Sequence, residues 1–178
     1  VAADGSVYFS DPYWGHFFVD PGEPQVRLED RELPFQGLFR AAPDGNVTLL
    51  ADDFGFPNGL AISPDGATLY VDDSDVGHIR AFDLFADGAV GNSRVFAEIG
   101  PPETGHVDGM KIDREGNLYC TGPGGVWVLD PSGTRLGRIR LPDSPSNLAW
   151  GEPDWRALFV TCRDSVFRVR LGIPGIPV

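Results

Sequence analysis

Short apolar runs separated by polar turns make up most of the chain. One unit is a turn, usually Asp-Gly or Glu-Gly, followed by a run rich in β-branched and aromatic residues; it occurs at 4–10, 65–71 and 115–120, and more loosely at 154–160. A second apolar run is interleaved with the first, at 37–40, 78–82, 125–129 and 165–169. Runs of this composition, bounded by turn residues, are typical of β-strands joined in hairpins.

Helices are not predicted. The chain contains 23 glycines and 16 prolines, which interrupt helices wherever they fall inside one. No segment free of Gly and Pro has a convincing apolar period of 3.6 residues over 11 positions, and the nearest candidate, 25–33, lies between Pro24 and Pro34. We predict a loop there and an all-β chain.

The order of the predicted strands indicates a β-propeller. Residues 60–98 contain four predicted strands and residues 109–141 four more, whereas the earlier and later stretches contain three each. Four antiparallel strands that recur about every 40–50 residues are typical of a propeller blade, and a β-sandwich lacks this order. We count about three and a half blades. Because a propeller closes with at least four, we expect residues 1–178 to be the C-terminal part of a single propeller domain whose N-terminal blades are absent.

Composition excludes two classes of partner. The chain has a net charge of −12 and a pI near 4.4, so it lacks the basic surface that a nucleic-acid-binding protein needs to contact phosphates. No apolar run approaches the ~18 residues that span a membrane. Cys120 and Cys162 are too few for a disulfide scaffold, so we predict buried free thiols, with a disulfide as the alternative. We expect a cytoplasmic monomer or weak oligomer.

Two oxygen-bearing side chains occupy equivalent positions before predicted inner strands. Asn58-Gly59 precedes the turn at Asp65-Gly66 by seven residues, and Asp108-Gly109 precedes the turn at Glu115-Gly116 by the same spacing. Residues at these positions of a propeller face the central channel. Oxygen ligands suit a hard cation such as Ca²⁺ or Mg²⁺, although Asn-Gly and Asp-Gly are also ordinary turn formers. Zn²⁺ is disfavoured because the histidines (His16, His78, His106) lie in unrelated segments.

Three ordered motifs, at 8–12, 56–66 and 108–118, resemble the SMP-30/gluconolactonase/luciferin-regenerating enzyme (LRE) family. The likeness continues through 125–131 and 139–142, and so covers nearly the whole chain. The resemblance implies a six-bladed propeller that binds one catalytic divalent cation and hydrolyses lactones, often those of sugar acids.

The resemblance also implies roles for particular residues. Asn58 matches the metal ligand of the family's Pro-Asn-Gly motif, and Asp108 matches an Asp-Gly ligand that is also the proposed general base. The family's two other ligands, an N-terminal Glu and an Asn ahead of the first motif, have no match. Ca²⁺ is the first choice of cation, with Mg²⁺, Zn²⁺ or Mn²⁺ as others. His106 and Asp11 are weaker candidates for substrate binding, since a loop histidine is often simply exposed.

These observations lead to one hypothesis and two alternatives. The hypothesis is metal-dependent hydrolysis of a small-molecule lactone, in which the cation polarises the carbonyl and Asp108 takes a proton from water. A strictosidine-synthase-like propeller shares the Phe-Pro-Asn-Gly stretch at 56–59 but does not need a metal-binding carboxylate at Asp108. A non-catalytic propeller that binds a partner over its face is the other alternative.

Overall fold

The computed structural model describes residues 1–13, 31–100 and 105–177, and within them the protein is all-β. The strands are β1 (Val7–Asp11), β2 (Gly37–Ala41), β3 (Val47–Ala51), β4 (Pro57–Ile62), β5 (Thr68–Asp73), β6 (His78–Leu84), β7 (Val90–Glu98), β8 (Met110–Ile112), β9 (Leu118–Gly122), β10 (Gly125–Leu129), β11 (Arg135–Arg140), β12 (Pro145–Gly151), β13 (Ala157–Cys162) and β14 (Ser165–Arg170). His16 and most of the loop predicted over 25–33 lie outside the described residues. No helix of the described part is long and apolar enough to cross a bilayer.

The strands form antiparallel sheets in chain order, which confirms the predicted repeats. Sheet 1 is β1-β2-β3, sheet 2 is β4-β5-β6-β7, sheet 3 is β8-β9-β10-β11 and sheet 4 is β12-β13-β14. Sheets 2 and 3 therefore have the four-stranded meander of a complete blade, with β4 and β8 at the first edge of each.

The hydrophobic core lies between neighbouring sheets, because alternate side chains of a strand point to opposite faces. In sheet 2, Leu69 and Val71 pack with Leu38 of sheet 1, whereas Tyr70 packs with sheet 3. In sheet 3, Cys120 contributes to the contact with sheet 2 and Tyr119 to the contact with sheet 4. The sheets are thus stacked face to face in the order 1, 2, 3, 4. Both cysteines are buried and free, as predicted.

The repeated turns share a backbone conformation that favours glycine. Gly66 and Gly116 have φ of +73° and +83°, a left-handed conformation that costs glycine little because it has no Cβ. In the looser fourth copy, Trp155 takes this position with φ of +56°. The turn geometry is therefore kept where the glycine is lost.

A β-bulge positions the predicted ligand of sheet 2. Pro57 pairs with Asp73 and Leu60 pairs with Val71, so two residues of β4, Asn58 and Gly59, stand opposite the single residue Asp72 of β5. A bulge bends the strand and turns a side chain away from its regular direction. The Asn58 side chain is released in this way from the normal alternation of β4.

Candidate functional site

The structure brings Asn58 and Asp108 together. Asn58 lies in the bulge of β4, and Asp108 lies two residues before β8, the corresponding edge strand of the next sheet. The Asn58 amide lies close enough to the Asp108 carboxylate to lower its pKa, and the Asp108 backbone oxygen approaches Gly59, the residue after Asn58. These two side chains are 50 positions apart in the sequence, and the stacking of sheets 2 and 3 makes them neighbours.

Gly59 allows this close approach. A Cβ atom on Gly59 would lie 2.1 Å from the backbone oxygen of Asp108 and 2.6 Å from Asp72 Oδ2. Both distances are far below a van der Waals contact, so only glycine fits between the two neighbours. On the other side of Asp108, the Gly109 amide donates to the Ser146 carbonyl at 2.9 Å, which links the start of β8 to sheet 4.

The half-buried Asp108 has the electrostatics of a proton acceptor. Burial raises the pKa of Asp108 to about 6, although the neighbouring Asn58 and Gly109 amide groups and the nearby His106 ring act in the opposite direction. A general base works best when its pKa lies near the working pH. Asp108 therefore combines an ionised form at neutral pH with more basicity than an ordinary aspartate.

Asn58 is held at both its backbone and its amide. The Ser10 hydroxyl of β1 donates to the Asn58 carbonyl at 2.8 Å, and Asn58 Nδ2 donates to Ser74 Oγ at 3.2 Å. Ser74 follows β5 and is only 3% exposed. Three sheets thus meet at Asn58: sheet 1 through Ser10, sheet 2 through Ser74, and sheet 3 through Asp108.

His106 is exposed at the edge of this group. Its Nδ1 lies 3.1 Å from the Ser74 carbonyl oxygen. Because a carbonyl oxygen only accepts, Nδ1 carries the hydrogen of this bond, and Nε2 is the ring nitrogen that faces away from it. The sequence-based candidate His106 therefore lies beside Asp108, as the lowering of the Asp108 pKa by its ring also indicates.

Asp11, the other candidate for substrate binding, lies at the exposed end of β1. It borders a cavity of about 270 Å³ whose described lining includes Pro12, Tyr13, Arg31 and Gln36. The neighbouring residue Ser10, not Asp11, makes the described hydrogen bond to Asn58.

Sequence reasoning missed Asp72, a fully buried carboxyl group beside the site. Asp72 Oδ2 accepts a weak hydrogen bond from the Cys120 thiol at 4.0 Å, but Oδ1 has no hydrogen-bond partner among the described residues. Burial and the nearby Asp108 raise the pKa of Asp72 well above its ordinary value. The adjacent Asp73 differs, because it accepts from the Gly55 amide at 2.8 Å and the Phe56 amide at 2.9 Å and so fixes the segment before Asn58.

The Asp72→Asn variant should be more stable than the wild type at alkaline pH, by about 1–3 kcal/mol in the free energy of unfolding. A raised folded-state pKa means that the native protein binds more protons than the unfolded chain, so stability falls as pH rises from the unfolded-state pKa near 3.8 through the folded one. Asparagine does not titrate, so the variant does not lose stability in this way as the pH rises. Thermal unfolding at about pH 4 and at about pH 8 measures the difference.

The matched control for this prediction is Asp52→Asn, which makes the same chemical change at an exposed position. An Asp72→Asn variant whose stability relative to the wild type is the same at both pH values would contradict the prediction. An Asp72→Asn variant that is less stable than the wild type at about pH 8 would also contradict it.

The donor atoms at the site fit a hard divalent cation. Asn58 supplies an amide oxygen and Asp108 a carboxylate, both of the kind that Ca²⁺, Mg²⁺ and Mn²⁺ prefer. Asp72 Oδ1 is a buried oxygen without a partner in the described part of the chain. The described residues contain no group of three or more His, Cys, Asp or Glu side chains that could hold a metal ion. Asn58 and Asp108 thus do not by themselves make up a complete set of metal ligands.

Four-stranded meanders stacked in chain order, with a polar site where their first strands begin, define a segment of a β-propeller. The comparisons with known proteins agree. Residues 1–164 match the model of the SMP-30/gluconolactonase/LRE-like region, and the chain therefore belongs to this family.

Relatives within the family include lactonases and a calcium-binding protein. The gluconolactonase of Zymomonas mobilis is 36% identical over 176 residues, covering 93% of this chain and 47% of that protein. The solved structure of a gluconolactonase from Xanthomonas campestris aligns with a TM-score of 0.81 at 34% identity, over 98% of this chain and 55% of that one. The calcium-binding protein regucalcin from Agrobacterium tumefaciens aligns with a TM-score of 0.70 at 27% identity. The alignment covers 79% of this chain and 54% of regucalcin. The chain spans about half the length of the relatives it matches.

Proposed function

We propose that the protein containing this chain is a lactonase that hydrolyses lactones of sugar acids with the help of one divalent cation. The observation that carries the proposal is the close approach of the Asn58-Gly59 segment to Asp108, whose pKa is raised, at the blade edges of a chain in the SMP-30/gluconolactonase family. The similarity to gluconolactonases supports the reaction class and a small-molecule lactone as the substrate.

We propose further that residues 1–178 are the C-terminal part of one six-bladed propeller domain. The solved gluconolactonase chain is covered to 55% by this sequence, which supports a longer protein. Sheets 1 and 4 each have three strands in the described residues, whereas the complete blades have four. The ligands missing from the set at Asn58 and Asp108 would then come from the other blades.

Asn58 and Asp108 would hold the cation through their side-chain oxygens. When bound, a divalent cation supplies a positive charge that polarises the lactone carbonyl and stabilises the oxyanion formed on attack. Ca²⁺ is the first choice because regucalcin is a calcium-binding protein, and Mg²⁺, Mn²⁺ or Zn²⁺ are the others to test.

Asp108 would act as the general base. It accepts a proton from the attacking water while the water oxygen bonds to the carbonyl carbon of the lactone. The bond from that carbon to the ring oxygen then breaks, and the proton passes to the ring oxygen, which becomes a hydroxyl group. The exposed His106, which lies beside Asp108, is the first proposed substrate contact, and Asp11 is the second.

The decisive experiment measures acid release from glucono-1,5-lactone by the complete protein in a pH-stat, with the spontaneous rate subtracted. We expect turnover that excess EDTA abolishes and that Ca²⁺, or another divalent cation, restores. Asn58→Ala should require a higher cation concentration, by about 10- to 100-fold, because one oxygen ligand is lost. Full activity in excess EDTA would contradict metal dependence, and no activity with any sugar-acid lactone would contradict the reaction class.

A further inference from the structure

Asn58 can offer a cation its oxygen only if its amide group has the correct orientation. An asparagine side chain carries an oxygen on one branch and an NH₂ group on the other, and rotation by half a turn exchanges them. The neighbours of Asn58 therefore decide which atom is available.

The hydrogen bonds of Ser74 determine this orientation. Ser74 Oγ lies 2.5 Å from the carbonyl oxygen of Val107, and that oxygen can only accept, so the single hydroxyl hydrogen of Ser74 is used there. Toward Asn58, Ser74 Oγ presents only lone pairs. The amide must then turn its NH₂ group to Ser74, as the 3.2 Å bond from Asn58 Nδ2 shows.

The remaining contacts hold Ser74 itself in place. Its carbonyl accepts from His106 Nδ1 at 3.1 Å, and its side chain is buried between the end of β5 and the segment before β8. Nδ2 of Asn58 is therefore directed at a side chain that is itself fixed from two sides, by Val107 and by His106. With Nδ2 turned to Ser74, Oδ1 is the amide atom left for a cation.

We propose that Ser74 is a positioning residue that holds the Asn58 amide with its oxygen toward the divalent cation. The proposal rests on the proposed metal site but not on its hydrolytic activity. Because Ser74 acts through the direction of the amide, its contribution should disappear when residue 58 has two equivalent oxygens, as an aspartate has.

The test is a double-mutant cycle on cation affinity, measured by calorimetry with Ca²⁺ and with Mn²⁺ on the complete protein. We expect Ser74→Ala to weaken the affinity by about 10- to 100-fold, the range for groups that orient metal ligands. In the background of Asn58→Asp, the same Ser74→Ala change should alter the affinity by less than about threefold. Ser132→Ala, which removes a hydroxyl that donates to Asp130 in an exposed turn, is the matched control and should leave the affinity unchanged.

Thermal unfolding of the metal-free variants checks that they fold. If Ser74→Ala does not fold, Ser74→Cys gives the same comparison, because a thiol is a weak hydrogen-bonding group of similar size. Wild-type affinity in the Ser74 variant would overturn the proposal, and so would an equal loss in both backgrounds, which would indicate a structural role only. Absence of any cation binding by the unsubstituted protein would overturn this proposal and the metal site together, whereas binding without lactonase activity would overturn only the proposed reaction.

Discussion

Asp108→Asn should lower kcat/KM for sugar-acid lactones by about 100- to 10,000-fold, the contribution typical of a positioned general base. Asparagine has nearly the same shape and keeps an oxygen that can face a cation, but it cannot accept a proton at neutral pH. The cation affinity should consequently fall much less than the turnover. Initial rates and calorimetric titration of the same preparation measure the two effects separately.

The pH dependence gives a second observable for this variant. Burial raises the pKa of Asp108 to about 6, so the wild-type kcat/KM should decline as the pH falls through that region and the carboxylate takes up a proton. The residual activity of Asp108→Asn should lack this decline. Asp83→Asn, which alters an exposed carboxylate paired with Arg94 on sheet 2, is the control and should keep the wild-type profile. Wild-type kcat/KM in Asp108→Asn would exclude Asp108 as the base.

The strands and their grouping could be predicted from sequence because both depend on local signals. Short apolar runs such as 69–71 and turns such as Asp65-Gly66 recur along the chain, and the structure confirms the sheets that they predict. Equal spacing to such turns also identified Asn58 and Asp108 as equivalent positions of two repeats. Because sheets 2 and 3 stack on each other, these equivalent positions lie close together.

Asp72 and Ser74 could not be recognised in the same way. They lie at and just after the end of β5, where polar residues are ordinary, and the run Asp72-Asp73-Ser74 looks like a solvated strand end. Their burial follows from the packing of β5 against the segment before β8, which no local pattern encodes. The available signal was weak: three consecutive polar residues directly continue the apolar run that ends at Val71.

Gly59→Ala should disrupt the site more widely than any change to a functional side chain. The added methyl group would lie 2.1 Å from the Asp108 backbone oxygen and 2.6 Å from the fully buried Asp72 carboxyl, so β4 and the segment before β8 must separate. We expect the free energy of unfolding to fall by about 3 kcal/mol, the upper range for overpacking. Because Asn58 and Asp108 would move apart, kcat/KM should fall at least about 100-fold even in the molecules that remain folded.

Gly137→Ala separates this steric effect from the general cost of adding a methyl group to a strand. Gly137 lies on β11, and a Cβ there would meet no atom within 4 Å, so the variant should match the wild type in denaturant unfolding and in turnover. If Gly59→Ala unfolded at the wild-type denaturant concentration, the contact between β4 and Asp108 would be looser than the structure shows. If it lost stability yet kept its cation affinity, Asn58 and Asp108 could not be joint ligands, since the same displacement that relieves the clash separates them.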